Sequence, residues 1–220
     1  MRDPNARGKD QTEAELMRLL EQEFGSELDE ILELLGDPPD LTKIPSSFWE
    51  GTTASMAATV RPVLEKAALA AAERMALEPG IGVDWSLVAE DAARWASQYS
   101  YSLVTGLTDT TRRVLQEKVA LFIREPGRTI GDLMGDLEPH FGEMRAQMIA
   151  VTETTRAFAE GEKVAVAQAQ EYGFVMEPIW HTNRDELVCS ICAPKDGQVT
   201  IELPPAHPRC RCWVTHRSVG

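Results

Sequence analysis

The chain gathers all four of its cysteines and one histidine into a short stretch: Cys189, Cys192, His207, Cys210 and Cys212. Their order reads C-x2-C, a gap of fourteen residues, then H-x2-C-x-C. A C-x2-C pair lets two thiolates reach one ion from a tight knuckle, and a second short-spaced pair returned by a hairpin completes a tetrahedron. The flanks agree: Gly197 follows the first knuckle, and Pro208 lies inside His207-Pro-Arg-Cys210. A segment this small buries little apolar surface, so a bound ion supplies folding free energy. The competing readings are a disulfide pair or a cluster of free buried thiols. Four ligands suffice for zinc, so one of the five candidates is surplus. Local spacing favours Cys189, Cys192, His207 and Cys210. Cys212, two residues on along an extended segment, could replace His207 or Cys210. No ligand position looks open to water, so the zinc is expected to be structural and not catalytic.

Charge narrows the partners. The formal net charge is -13, yet residues 180–220 carry five basic against four acidic side chains, leaving -14 on residues 1–179. So acidic a body repels a phosphate backbone. Weak or no direct DNA binding is expected, with Arg209, Arg211 and Arg217 as its only plausible carriers. Thiols held for metal point to a reducing, cytosol-like compartment. Met1–Gln11 is polar, without the apolar core of a signal peptide, and no apolar run reaches the roughly 18 residues of a membrane span.

Most of the chain reads as helix. Residues 1–11 are expected to be disordered. Leu16, Leu19, Leu20, Phe24, Leu28, Ile31 and Leu35 recur at helical spacing, with Gly25 a possible break and Gly36–Asp40 a turn. An alanine-rich helix is predicted over 46–77, kinked or divided at Pro62. Pro79–Gly82 reads as a loop. A third helix is predicted from Trp85 to about Leu107, and a fourth after a cap at Thr108 or Asp109. Thr129 with Asp132 resembles a capping box opening a short helix to Leu137. A long helix follows from about Glu143 to Tyr172, whose stripe of Phe141, Met144, Met148, Val151, Thr155 and Phe158 is assigned to the core. Beyond Gly173 the pattern changes to strands: 174–182, then Val199, Ile201 and Leu203, then 211–216. The expected fold is α+β: a mainly α helical body with a small C-terminal β module clasped by zinc. The expected divisions are 1–11, 12–95, 96–172 and 173–220.

Residues 96–213 carry an ordered string of short motifs. The features stand in order: Tyr99-Ser-Tyr101 before Gly106, Gly127-Arg-Thr-Ile-Gly131, Ala150-Val-Thr-Glu-Thr154, and Trp180-His-Thr-Asn-Arg-Asp185 leading to Cys189-Ser-Ile-Cys192. Asp196-Gly197, Pro204-Pro205 and His207-Pro-Arg-Cys-Arg-Cys212 complete the string. In this order they resemble the Mu F-like head morphogenesis, or minor capsid, proteins of tailed phages. Val151 stands where that family usually has arginine. The resemblance implies a low-copy structural protein of the phage head, associated with the portal, with capsid or scaffold protein as a further candidate partner. It implies assembly in the host cytoplasm, residence in the virion and a part in DNA packaging or exit. Some longer members carry toxin or ADP-ribosyltransferase domains after the zinc module. Only eight residues follow Cys212 here, and no such domain is expected.

Single residues allow plainer readings. Glu153, with Arg156 and Glu160, reads as a solvated and internally paired helix face or as a contact to a partner or the β module. Trp180 reads as core. Asp185 could brace the first knuckle or orient His207. Arg209 and Arg211 form a positive rim beside a ligand cysteine. His140, His181 and His216 lie outside metal spacing. A zinc-ribbon nucleic-acid or regulatory module is the alternative function. An enzyme is not expected, because paired catalytic carboxylates, a G-x-S-x-G elbow and a phosphate loop are missing from the sequence. Cys192 with His207 as nucleophile and base would leave the other cysteines unexplained. The apolar stripe from Leu16 to Leu35 and the pair Phe48–Trp49 either pack internally or dock on the portal.

Overall fold

Leucines, Ile31 and Phe24 spaced three, four and seven apart drive the first helix, α1 (Ala6–Leu35), into the interior. Leu16, Leu20, Phe24, Ile31 and Leu35 have no exposed surface. The computed structural model describes residues 2–76, 84–183, 186 and 188–219. α1 packs on α2 (Ser46–Ala76) and α5 (Glu143–Glu171), and α2 also packs on α3 (Trp85–Arg124). The short α4 (Ile130–Leu137) closes one end through Leu133 and Leu137. Its start is the predicted capping box, with Thr129 and Asp132 exchanging hydrogen bonds.

Behind the helices, β1 (Met176–His181) and β2 (Trp213–Ser218) form an antiparallel pair that runs from Met176 opposite Ser218 to His181 opposite Trp213. The fold class is therefore the expected one, mostly helical with a small C-terminal sheet.

α2 and α5 approach each other closely at Gly161. A β-carbon on Gly161 would lie 2.0 Å from the carbonyl oxygen of Ala68. Buried Ala67, Ala68, Ala71 and Ala72 make the facing side of α2 equally small. Backbone meets backbone there, and only glycine fits.

Several local expectations are corrected. The N-terminus is docked: Asn5 and Lys9 are buried, Lys9 pairs with Asp3 at 2.7 Å, and Asn5 donates to Glu162 on α5 at 2.8 Å. Long-range polar partners outweigh the polar composition that suggested disorder. α1 passes through Gly25, and α2 passes through Pro62 because Val60, Val63 and Leu64 hold both flanks in the core. α3 does not end near Leu107. Thr108, the expected cap, is buried and shares a 3.0 Å hydrogen bond with Thr53 of α2, while Thr111 accepts from Arg145. The helix is instead capped by Asp84, which accepts from Ser86 and Leu87. The α5 stripe is only partly core: Phe141, Val151, Thr155 and Phe158 are buried, but Met144 is 65% and Met148 37% exposed. That end of the stripe borders the Cys/His loop, where Arg209 reaches the Met144 sulfur. No strand forms at 199–203. Val199 makes one bridge to Ile179, and Thr200 turns the chain by bonding Glu202 through its hydroxyl. The expected loop at Pro79–Gly82 lies outside the described residues.

Two substitutions at glycines should act in opposite directions. Gly161→Ala should destabilise the protein by about 3 kcal/mol, the upper range for overpacking. Gly106→Ala, on α3 with open space around it, should stabilise by about 0.5–1 kcal/mol. Denaturant titration of both variants checks the pair.

Glu27 is buried with neither carboxylate oxygen bonded. Burial pushes its carboxyl up to about 7, against the pull of Arg145 and with a small push from Glu23. The folded state therefore holds the proton more tightly than the unfolded chain. Its contribution is full below about pH 4.5 and declines as pH rises to about 7. Glu27→Gln should remove this decline, worth at most about 3 kcal/mol, and should raise stability at pH 8. Thermal melts of both proteins from pH 5 to 8 measure it.

Candidate metal centre

Two knuckles build the site. After β1 the chain turns at 189–192, where the amides of Cys192 and Ala193 both donate to the Cys189 carbonyl oxygen, at 3.2 and 3.0 Å. A short 3-10 turn, Ala193–Lys195, follows. The chain then returns, and the Cys210 amide donates to the His207 carbonyl oxygen at 3.2 Å, closing the second knuckle just before β2. Arg209 between them has φ +61, a left-handed conformation that is uncommon for a non-glycine residue.

The knuckles bring their donor atoms together. The Cys189 and Cys192 sulfurs lie 3.0 and 3.2 Å from His207 Nε2, and the Cys192 and Cys210 sulfurs are 3.8 Å apart. Cys189, Cys192 and His207 form one mutually close triad, and Cys192, Cys210 and Cys212 another. Cys192 belongs to both. All five sequence candidates are thus gathered, and the described cysteines form no disulfide. His207 Nδ1 lies 2.7 Å from the Pro208 carbonyl oxygen, which can only accept. That bond holds the proton on Nδ1 and leaves the Nε2 lone pair facing the thiols.

Electrostatics bears on how the cluster could hold a cation. Amide hydrogen bonds from Cys192 and Ile191 lower the Cys189 thiol, and a hydrogen bond from Cys212 holds Cys210 down at about 5. Burial pushes Cys192 up to about 12, and donation to Cys210, with burial, pushes Cys212 up. The four thiols are therefore held unequally, Cys189 and Cys210 pushed toward the charged form and Cys192 and Cys212 away from it. A divalent ion among them ionises its sulfur ligands and removes that conflict.

The surroundings are built from the same string of residues. Trp180 is fully buried against the cysteines, and its backbone brackets the turn by accepting from Gly197 and donating to Gln198. α5 runs along the other side. Between it and the knuckles lies a cleft of about 390 Å³, lined by Gln147, Val151 and Arg209 as well as the five candidates.

Glu153 is not a solvated face residue: it is buried and accepts from Tyr99 at 2.7 Å and from Arg156 at 3.1 Å. Arg211 reaches α1, pairing with both oxygens of Glu13 at 2.8 and 2.6 Å. Asp185 lies outside the described residues. His181 shares a hydrogen bond with Thr215, and His216 is buried 4.0 Å from Glu162; neither joins the metal-capable groups.

Sequence reasoning missed the contacts that hold the second knuckle. Thr155 Oγ1 donates to the Cys210 carbonyl oxygen at 2.7 Å, and Thr152 Oγ1 accepts from the Arg209 amide at 2.9 Å. Two threonines one turn apart on a helix beside a metal motif were the available signal. Comparison with family models, with curated proteins and with solved structures found no match. No described helix is long and apolar enough to cross a membrane.

Because Cys192 is shared by both triads, it should be indispensable for metal binding. Titration with Co2+ should give the intense sulfur-to-cobalt absorption of a tetrahedral thiolate site. Cys192→Ser should abolish that band and Cys212→Ser should retain most of it. Near-ultraviolet and visible spectra of the three proteins report the outcome.

Proposed function

We propose that this chain is a minor head protein of a tailed phage, a structural component associated with the portal and stabilised by one zinc ion. The observation that supports the reading most is that the resembling segments meet in space. Trp180 packs on the cysteines, Tyr99 bonds Glu153, and Thr152 of Ala150-Val-Thr-Glu-Thr154 with the following Thr155 reaches the His207–Cys212 knuckle. Tyr99, the Ala150–Thr154 segment and the His207–Cys212 knuckle thus meet along α5.

Zinc suits the donor set better than a hard cation, because thiolates and imidazole dominate it. The best set is Cys189, Cys192, His207 and Cys210. A tetrahedral ion with zinc–sulfur bonds of about 2.3 Å separates its sulfurs by about 3.8 Å, matching the 3.8 Å between Cys192 and Cys210. Cys212 is then a neighbour that donates to the Cys210 sulfur. With four protein ligands the ion has no open position for substrate, which favours a structural role over catalysis. A Cys192 nucleophile is also disfavoured, since burial holds its thiol protonated.

Two of the three arginines expected to carry nucleic-acid binding are paired with carboxylates. Arg211 is held by Glu13 and Arg217 by Glu177 at 2.9 Å, beneath a body of charge -14. The apolar stripe of α1 is covered by α2 and α5, which favours internal packing over a portal contact through that stripe, and the deletion of α1 would open the core.

The expected outcome is about one zinc per purified chain by elemental analysis, and co-purification of the full chain with the portal ring of the same phage. Mass spectrometry of purified heads should find it at low copy. A chain absent from heads and not retained by portal would overturn the head-protein reading, whatever its metal content.

A further inference from the structure

The geometry points to Thr152 and Thr155 of α5 as positioning residues for the metal site, fixing the knuckle that presents Cys210. The inference rests on the zinc reading above and names residues that the ligand spacing does not reveal. Thr155 is 1% exposed. Its hydroxyl donates to the Cys210 carbonyl oxygen at 2.7 Å, a buried bond between residues 55 positions apart. Thr152 Oγ1 accepts from the Arg209 amide at 2.9 Å and donates to the Met148 carbonyl oxygen of its own helix at 2.7 Å. Residues i and i+3 on a helix share a face. The two hydroxyls therefore grip successive residues of the loop, one at the amide of Arg209 and the other at the carbonyl of Cys210.

The grip has a physical task. Arg209 sits at φ +61, a conformation that is unfavourable for a non-glycine residue and persists only where surroundings enforce it. That turn aims the Cys210 sulfur back toward Cys192. The other knuckle needs no such support, since Cys189 receives its own amides and Trp180 packs beside it. β-branched side chains are stiff at χ1 and suit the role. A hydrogen-bonded partner outside the ligand set typically changes metal affinity ten- to a hundredfold.

Thr155→Val keeps the shape and removes the donor, Thr155→Ser keeps the donor, and Thr152→Val removes the other contact. Zinc affinity is measured on the full chain by competition with a chromophoric chelator, and melting is followed with and without zinc. Thr155→Val should weaken zinc binding at least tenfold and shift the d–d bands of the Co2+ form. Thr155→Ser should restore both to within about threefold of wild type, and Thr152→Val should fall between. A purely structural role predicts equal loss of melting temperature in both forms with unchanged zinc affinity, and that result would overturn the inference while leaving the zinc reading intact. A wild-type chain that takes up no zinc overturns both.

Discussion

Three buried thiols, a half-buried fourth and an imidazole within a few ångströms of one another impose the constraint on which the C-terminal half depends. Thiolates cannot be packed together in a poorly solvated site without a cation, and protonated thiols would have little reason to converge. The backbone around them is arranged for the charged form. Amides point at Cys189, the Pro208 carbonyl oxygen orients His207, and Arg209 accepts a left-handed turn that brings Cys210 back. The two-stranded sheet alone would be marginal. It becomes a folded unit because the cysteine cluster and Trp180 supply a core of their own.

That unit is joined to the helical body at three kinds of contact. The threonines of α5 hold the second knuckle. Arg211 clasps Glu13 of α1. Further along, Glu162 of α5 accepts from Asn5 and from Arg74 of α2 at 2.8 and 2.7 Å, with His216 of β2 beside it. Burial keeps His216 down at about 4, so it is neutral at physiological pH and leaves Glu162 to Arg74 and Asn5. The chain's first turn and its last strand thus meet on α5, and residues 2–11 become ordered through partners far away in sequence.

What was legible in the sequence follows from where the information lies. The five donor residues were readable because short ligand spacing is local and its chemistry is specific. The long helices were readable from periodicity, and the Thr129 cap from its own four residues. Breaks were misread where local signals lost to packing. Thr108 looks like a cap but bonds Thr53 across two helices, and Pro62 looks like a point of division but α2 runs on through it, with Val60, Val63 and Leu64 in the core. Met144 and Met148 fit a core stripe by spacing, yet that end of α5 borders the knuckle. Val199, Ile201 and Leu203 alternate like a strand, but Ile201 is 99% exposed because no partner strand lies alongside. Ligand choice among five candidates was open in the sequence for a different reason. It depends on how two loops meet, which spacing alone does not encode.

The central claim is that one zinc ion is held by three sulfurs and the His207 ring. X-ray absorption at the zinc edge of the purified full chain tests it most directly. The account predicts a first shell of three sulfurs at about 2.3 Å and one nitrogen at about 2.0 Å, with the outer-shell scattering of a single imidazole. A shell of four sulfurs without imidazole scattering, or one dominated by oxygen and nitrogen, would contradict it.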